Sequence, residues 1–123
     1  MPREFNLEDR LIDFAVDIIK LTETMINSKA GTHLSGQLLR SGTSPALNYG
    51  EAQSGESRKD FIHKIKVVLK ELRETLVCLK LIFRSKLYTD EVLIQKLLKE
   101  SNELISIFVK SVETAQKNNQ TER

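Results

Sequence analysis

Apolar residues recur along this chain at steps of three and four, the spacing of helices that each bury one face. Near the N-terminus Leu7, Leu11, Phe14, Ile18, Leu21 and Met25 alternate by four and three, the seam of a helix lying almost parallel to its neighbours. Ile12, Ala15, Ile19 and Ile26 widen that seam, so this helix is expected to touch more than one partner. Asn6 suits its N-cap, and Glu8 and Asp9 complement the positive end of its dipole. Lys29-Ala30-Gly31 reads as its stop, with Gly31 in a left-handed terminal position. Helix one is therefore expected over about 7–28.

Helix two is expected over about 32–53. Wound at ~100° per residue, it places Leu34, Leu38, Ser41, Pro45, Tyr49 and Ala52 on one narrow face, small in its middle, where another helix can approach closely. Pro45 lacks an N–H and crowds the preceding turn. A kink near Ser41–Pro45 is expected, with a break as the alternative, although apolar spacing continues across it. Gln53-Ser54-Gly55-Glu56-Ser57 is a turn by composition. Ser57 followed by Asp60 resembles a capping box. Helix three then runs over about 57–86, with Phe61, Ile65, Val68, Leu69, Leu72, Leu76, Leu79 and Phe83 as its core face. Val77, Cys78, Leu81 and Ile82 spread apolar character around its second half, which suggests a subunit interface. Thr89, before Asp90 and Glu91, reads as the N-cap of helix four, expected over about 90–115. Leu93, Leu97, Leu104 and Phe108 form its stripe, flanked by Ile94, Leu98, Ile105 and Val112, and the polar tail 117–123 is expected to fray. Short connections between four long helices imply an all-α, antiparallel up-down-up-down bundle.

With 123 residues the chain makes one domain with a real core. The single cysteine, Cys78, cannot pair internally and reads as a small packing group. No apolar run approaches the ~20 residues of a membrane helix, and the charged N-terminus is unlike a secretion signal. A cytoplasmic protein that meets no membrane is expected. No Glu-x-x-His repeat, His/Cys cluster or nucleophile–base pair is present, so no cofactor, metal or catalytic residue is assigned. His33 and His63 read as surface or capping residues.

Net charge is only +2, but its distribution is uneven. Residues 57–86 carry nine basic and three acidic groups, a local charge of +6, while the other segments are slightly acidic. Taking Phe61 as the core direction, Lys59, Lys66, Lys70, Arg73, Lys80 and Arg84 fall within an arc of roughly 80° and span ~37 Å of helix. No acidic residue shares the arc. Such a row suits contact with RNA or DNA phosphates, where each neutralised phosphate releases counterions. The alternatives are a solvated lysine face or intersubunit pairing. With little aromatic interleaving, base stacking is not expected.

A second polar stripe, Gln37, Arg40, Ser44, Asn48 and Glu51, runs beside the packing face of helix two. It suits an interhelical or intersubunit network, or else a binding or catalytic role. Glu71 and Glu74 on helix three are expected to form salt bridges with Arg40 or with a neighbouring subunit.

Three blocks carry a family resemblance. Arg40-Ser41-Gly42-Thr43-Ser44 with Asn48 and Glu51-Ala52, then Lys59-Asp60-Phe61-Ile62-His63-Lys64, then Leu69-Lys70-Glu71 with Arg73-Glu74-Thr75, resemble the bacterial 23S rRNA intervening-sequence proteins, in order and over essentially the whole chain. Leu47, where a small residue is usual, and Val77-Cys78, where aromatics are common, depart from the pattern. The resemblance implies a four-helix bundle without enzymatic activity that assembles as a ring-like homopentamer. A related branch, the accessory variability determinant of diversity-generating retroelements, is a basic pentameric adaptor for nucleic acid and a reverse transcriptase. The expected partners are therefore further copies of the chain, RNA or DNA, and a nucleic-acid-processing protein. A homo-oligomeric scaffold that binds no nucleic acid is the alternative.

Overall fold

The structure is a computed structural model that describes residues 6–55 and 57–121. The expectations that touch Glu56 and residues 122–123 lie outside the described residues. Four helices follow one another: α1 (Leu7–Glu23), α2 (Lys29–Gln53), α3 (Arg58–Arg84) and α4 (Glu91–Thr121). Each packs on its neighbours in sequence and α4 closes on α1, while the backbones of diagonal helices stay apart. Residue pairs that meet across the seams run in opposite directions: Ser41 with Thr75 and Glu51 with Lys64 between α2 and α3, and Arg10 with Glu100 and Asp17 with Lys96 between α1 and α4. The bundle is therefore antiparallel, as the spacing implies.

The core is a single apolar cluster centred on Leu11, Phe14, Ile18, Leu38, Ile65, Leu72, Leu79, Leu97, Leu104 and Phe108. Asn6 and Ser57 cap α1 and α3 as expected, their side chains accepting from the Asp9 and Asp60 amides. On α2 the expected face is inside: Leu38, Ser41, Pro45 and Ala52 are buried, with Leu34 and Tyr49 partly so. The close approach occurs at Gly42, where an added Cβ would lie 2.7 Å from Cγ2 of the fully buried Ile18. Tyr49 meets Phe108 edge to face at 5.6 Å. The helix continues unbroken through Pro45, because burial of the residues on both sides outweighs one missing hydrogen bond.

Other expectations are corrected. Helix α1 ends at Glu23 with Thr24 as its cap, five residues short of position 28. Ser28, whose Oγ accepts from the Gly31 amide, instead starts α2, so Lys29-Ala30-Gly31 is a first turn and not a stop. Gly31 does not adopt a left-handed conformation; it is small because the Ile26 carbonyl occupies the place of its Cβ. The left-handed residue is Lys86, φ 56°, just after α3. Asp90, not Thr89, caps α4, accepting from the Leu93 amide at 3.1 Å. Helix α4 runs on to Thr121, past 115, so positions 117–121 are helical. Ala115 is still buried, and its packing anchors the polar turns beyond it.

Two apolar faces also differ. Phe83 is 37% exposed and Ile82 is buried in its place, because a helix of 3.6 residues per turn drifts against a strict seven-residue seam. Ile12, Ile19 and Ile26 do not widen the core of α1 but face outward. At one end of the bundle the α1–α2 and α3–α4 loops are joined: the Ile26 amide donates to the Leu87 carbonyl at 3.0 Å, and the Thr24 and Tyr88 hydroxyls lie 3.1 Å apart. The α1–α4 seam is held by charge. Arg10 grips Glu100 with two bonds of 2.8 Å and reaches Glu103 at 3.3 Å, while Lys96 meets Asp17 at 3.0 Å. No described helix is long and apolar enough to cross a membrane.

Candidate nucleic-acid interface

Helix α3 is straightforward to form, with a serine cap, straight-chain side chains and no glycine or proline inside it. Its buried stripe of Ile62, Ile65, Val68, Leu72, Thr75 and Leu79 turns the opposite side to solvent. Lys59, Lys66, Lys70, Arg73, Lys80 and Arg84 are all exposed there. None forms an ion pair or side-chain hydrogen bond with another described residue. Lys70 is near enough to Glu74 to favour its ionised form.

The polar stripe of α2 accounts for the acids of α3. Arg40 Nη1 donates to Glu71 at 3.1 Å and Nη2 to Glu74 at 2.5 Å. That bond holds the Glu74 carboxyl below the usual glutamate range. Glu71 is shifted the other way, chiefly because burial strips water from it and secondly by its hydrogen bond with Glu74. Lys64 meets Glu51 at 2.7 Å, and Asn48 donates to the Ser44 carbonyl and hydroxyl at 3.0 and 2.8 Å. Gln37 is exposed on the same flank. Within one chain, then, the stripe braces α2 against α3, and its arginine occupies the two glutamates that would otherwise offset the lysine row.

Below this surface a hydroxyl pair was not foreseen as a contact. Thr75 donates to the Glu71 carbonyl at 2.8 Å and lies 3.0 Å from the Ser41 hydroxyl, both residues fully buried. The signal was available: a threonine amid the leucines of α3, opposite the serine in the small face of α2. Cys78 is buried with its thiol toward the Leu34 carbonyl, and burial pushes its pKa up to about 11, so it is a poor nucleophile. His33 and His63 are both exposed. Among the described residues no group of His, Cys, Asp and Glu could hold a metal ion. An open depression at the α2–α3 corner, lined by Ala52, Gln53, Gly55, Ser57, Arg58 and Phe61, brings no acid–base pair together. What the α3 surface presents is positive charge open to solvent.

Comparison with known proteins agrees with the fold. A crystal structure of a protein with unknown function from the S23 ribosomal protein family of Bacteroides thetaiotaomicron VPI-5482 is 34% identical, covers 87% of this chain and 98% of its own, and superposes with a TM-score of 0.79. No curated protein matches the sequence. The family profile of the 23S rRNA-intervening sequence proteins matches residues 3–110, and the chain belongs to that family.

Proposed function

We propose that this protein is a non-enzymatic, ring-forming homo-oligomer of the cytoplasm, a pentamer by family resemblance, that holds RNA or DNA by its phosphates and so serves a nucleic-acid-processing partner. The observation that carries this reading is the α3 row, whose six cations reach solvent without a salt bridge to a described carboxylate. An exposed surface ion pair contributes little stability, so leaving this row unpaired costs the fold little and leaves its charge to an external anion. Rotational symmetry would repeat the row around the ring. Phe83, 37% exposed beside Arg84, gives the row too little aromatic surface to stack successive bases, which favours phosphate contact over base reading.

Binding to generic RNA and to duplex DNA should fall steeply with salt. If all six cations meet duplex phosphates, the logarithm of the association constant falls against that of salt with a slope of about −5 per protomer. Lys66→Glu, Lys70→Glu and Arg73→Glu together should abolish binding and leave the oligomer intact. Unchanged affinity in that variant excludes the surface, and no binding by the parent protein at low salt favours the scaffold reading. One observation favours that second reading: Val77 and Leu81, 57% and 49% exposed, interrupt the cationic row with apolar surface suited to a protein.

A further inference from the structure

Single exposed apolar side chains need no explanation, but aligned ones do. On α1, Ile12, Val16 and Ile19 are 43%, 43% and 40% exposed and follow at steps of four and three, so they form one outward stripe. The register of α1 on α2 is fixed by Gly42 against Ile18 and by the Ser35 hydroxyl near the Thr22 carbonyl. That register sets Leu39, 42% exposed, level with Ile19, and the half-buried Ala46 level with Ile12. The outside of the α1–α2 pair is therefore an apolar strip two helices wide. Asp9, Asp13 and Glu23 border it along α1, with Lys20 as the cation among them.

The outward face of α3 changes character at Val77. Before it, the exposed residues from Arg58 to Glu74 are all polar or charged. After it, Val77 and Leu81 lie one turn apart between Arg73, Lys80 and Arg84. The chain thus carries two apolar surfaces, one edged by carboxylates and the other by cations, on different sides of the bundle.

We propose that these surfaces dock on one another between copies of the chain: the α1–α2 strip of one protomer receives the C-terminal half of α3 from the next. This inference rests on the self-association read above and names the contact that makes it. Such a contact is heterologous, one surface against a different one, and so closes a ring or propagates. Apolar burial supplies its affinity, while the opposed charges set orientation and encounter rate. The cationic row is then divided. Lys80 and Arg84 lie in the protomer contact, and Lys59, Lys66, Lys70 and Arg73 stay open to phosphate.

Sedimentation velocity on the full chain tests this. Val16→Glu and Leu81→Glu should each reduce the oligomer to a single chain of 14.1 kDa with helical circular dichroism retained, since both side chains face solvent. Mixed together they should form a one-to-one dimer, because each keeps the surface that the other has lost. Ile12→Ser with Val77→Ser provides a second pair should either glutamate variant fail to fold. Oligomers that survive Leu81→Glu, or a mixture that stays monomeric, overturn the proposal. A monomeric parent protein overturns self-association as well. Loss of RNA binding alone, with this pattern of assembly intact, leaves the docking surface standing.

Discussion

Gly42→Ala tests the packing at the centre of the bundle. Its Cβ would fall 2.7 Å from Cγ2 and 2.8 Å from Cγ1 of Ile18, and 3.2 Å from Ile18 Cβ. Carbon atoms prefer separations of about 3.5–4.0 Å, so a gap of roughly 1 Å must open. Ile18 is fully buried and β-branched, which holds its rotamer, so the helices themselves must separate. Overpacking of this kind costs about 3 kcal/mol at the upper end of its range. Replacing glycine inside a helix returns about 1 kcal/mol, and the net loss is about 2 kcal/mol. Gly36 is the control: it is exposed on the same helix, and nothing lies within 4 Å of its would-be Cβ. Gly36→Ala should therefore stabilise by up to about 1 kcal/mol. Urea unfolding followed by far-ultraviolet circular dichroism, at several protein concentrations, separates this difference from any change in assembly. A Gly42→Ala protein as stable as the parent would refute the close approach of α1 and α2.

Two further predictions concern the seams. Thr75→Val leaves the buried Ser41 hydroxyl without its partner and should cost about 1–2 kcal/mol, most of it recovered when Ser41→Ala is added; a double variant as unstable as the sum of the singles would show that the pair is not coupled. The hydrogen bond from Arg10 holds the Glu100 carboxyl below its ordinary 4.5. A carboxyl depressed in the folded state adds stability above that value and loses it as pH falls through the folded value. Arg10→Met should therefore lower stability by about 1 kcal/mol at neutral pH and reduce the acid-induced loss below pH 4.5, which unfolding at neutral and acid pH measures. An unaltered pH profile would show that Arg10 does not set the titration of Glu100.

The number and order of the helices were legible because each carries a strong apolar stripe, and Asn6 and Ser57 were legible because an N-cap is a local device. The end of α1 was not. Met25 and Ile26 continue its spacing, yet the chain turns at Thr24, where Ile26 finds a backbone partner on a distant loop. The extent of α4 was hidden because Lys117, Asn118 and Asn119 look like a tail and are held by the packing of Ala115 before them. In the candidate site, angular position alone placed the six cations outward. The Arg40 bridges to Glu71 and Glu74 were also anticipated, since both helices present those groups on their facing flanks. The Arg10–Glu100 fork joins residues ninety positions apart, and only closure of the bundle reveals it.

The joined loops give the molecule a mechanical polarity. The Ile26–Leu87 backbone bond and the Thr24–Tyr88 contact act as a clasp where two hairpins meet. The opposite end, where α2 turns into α3, has the α1 start and the distal α4 beside it, with the Arg10 fork set inward. Between α2 and α3 that end is closed by the turn and by the Glu51–Lys64 pair, so the seam left there to side chains alone is α1–α4, and opening of the bundle starts at the Arg10 fork and not along the cationic row of α3.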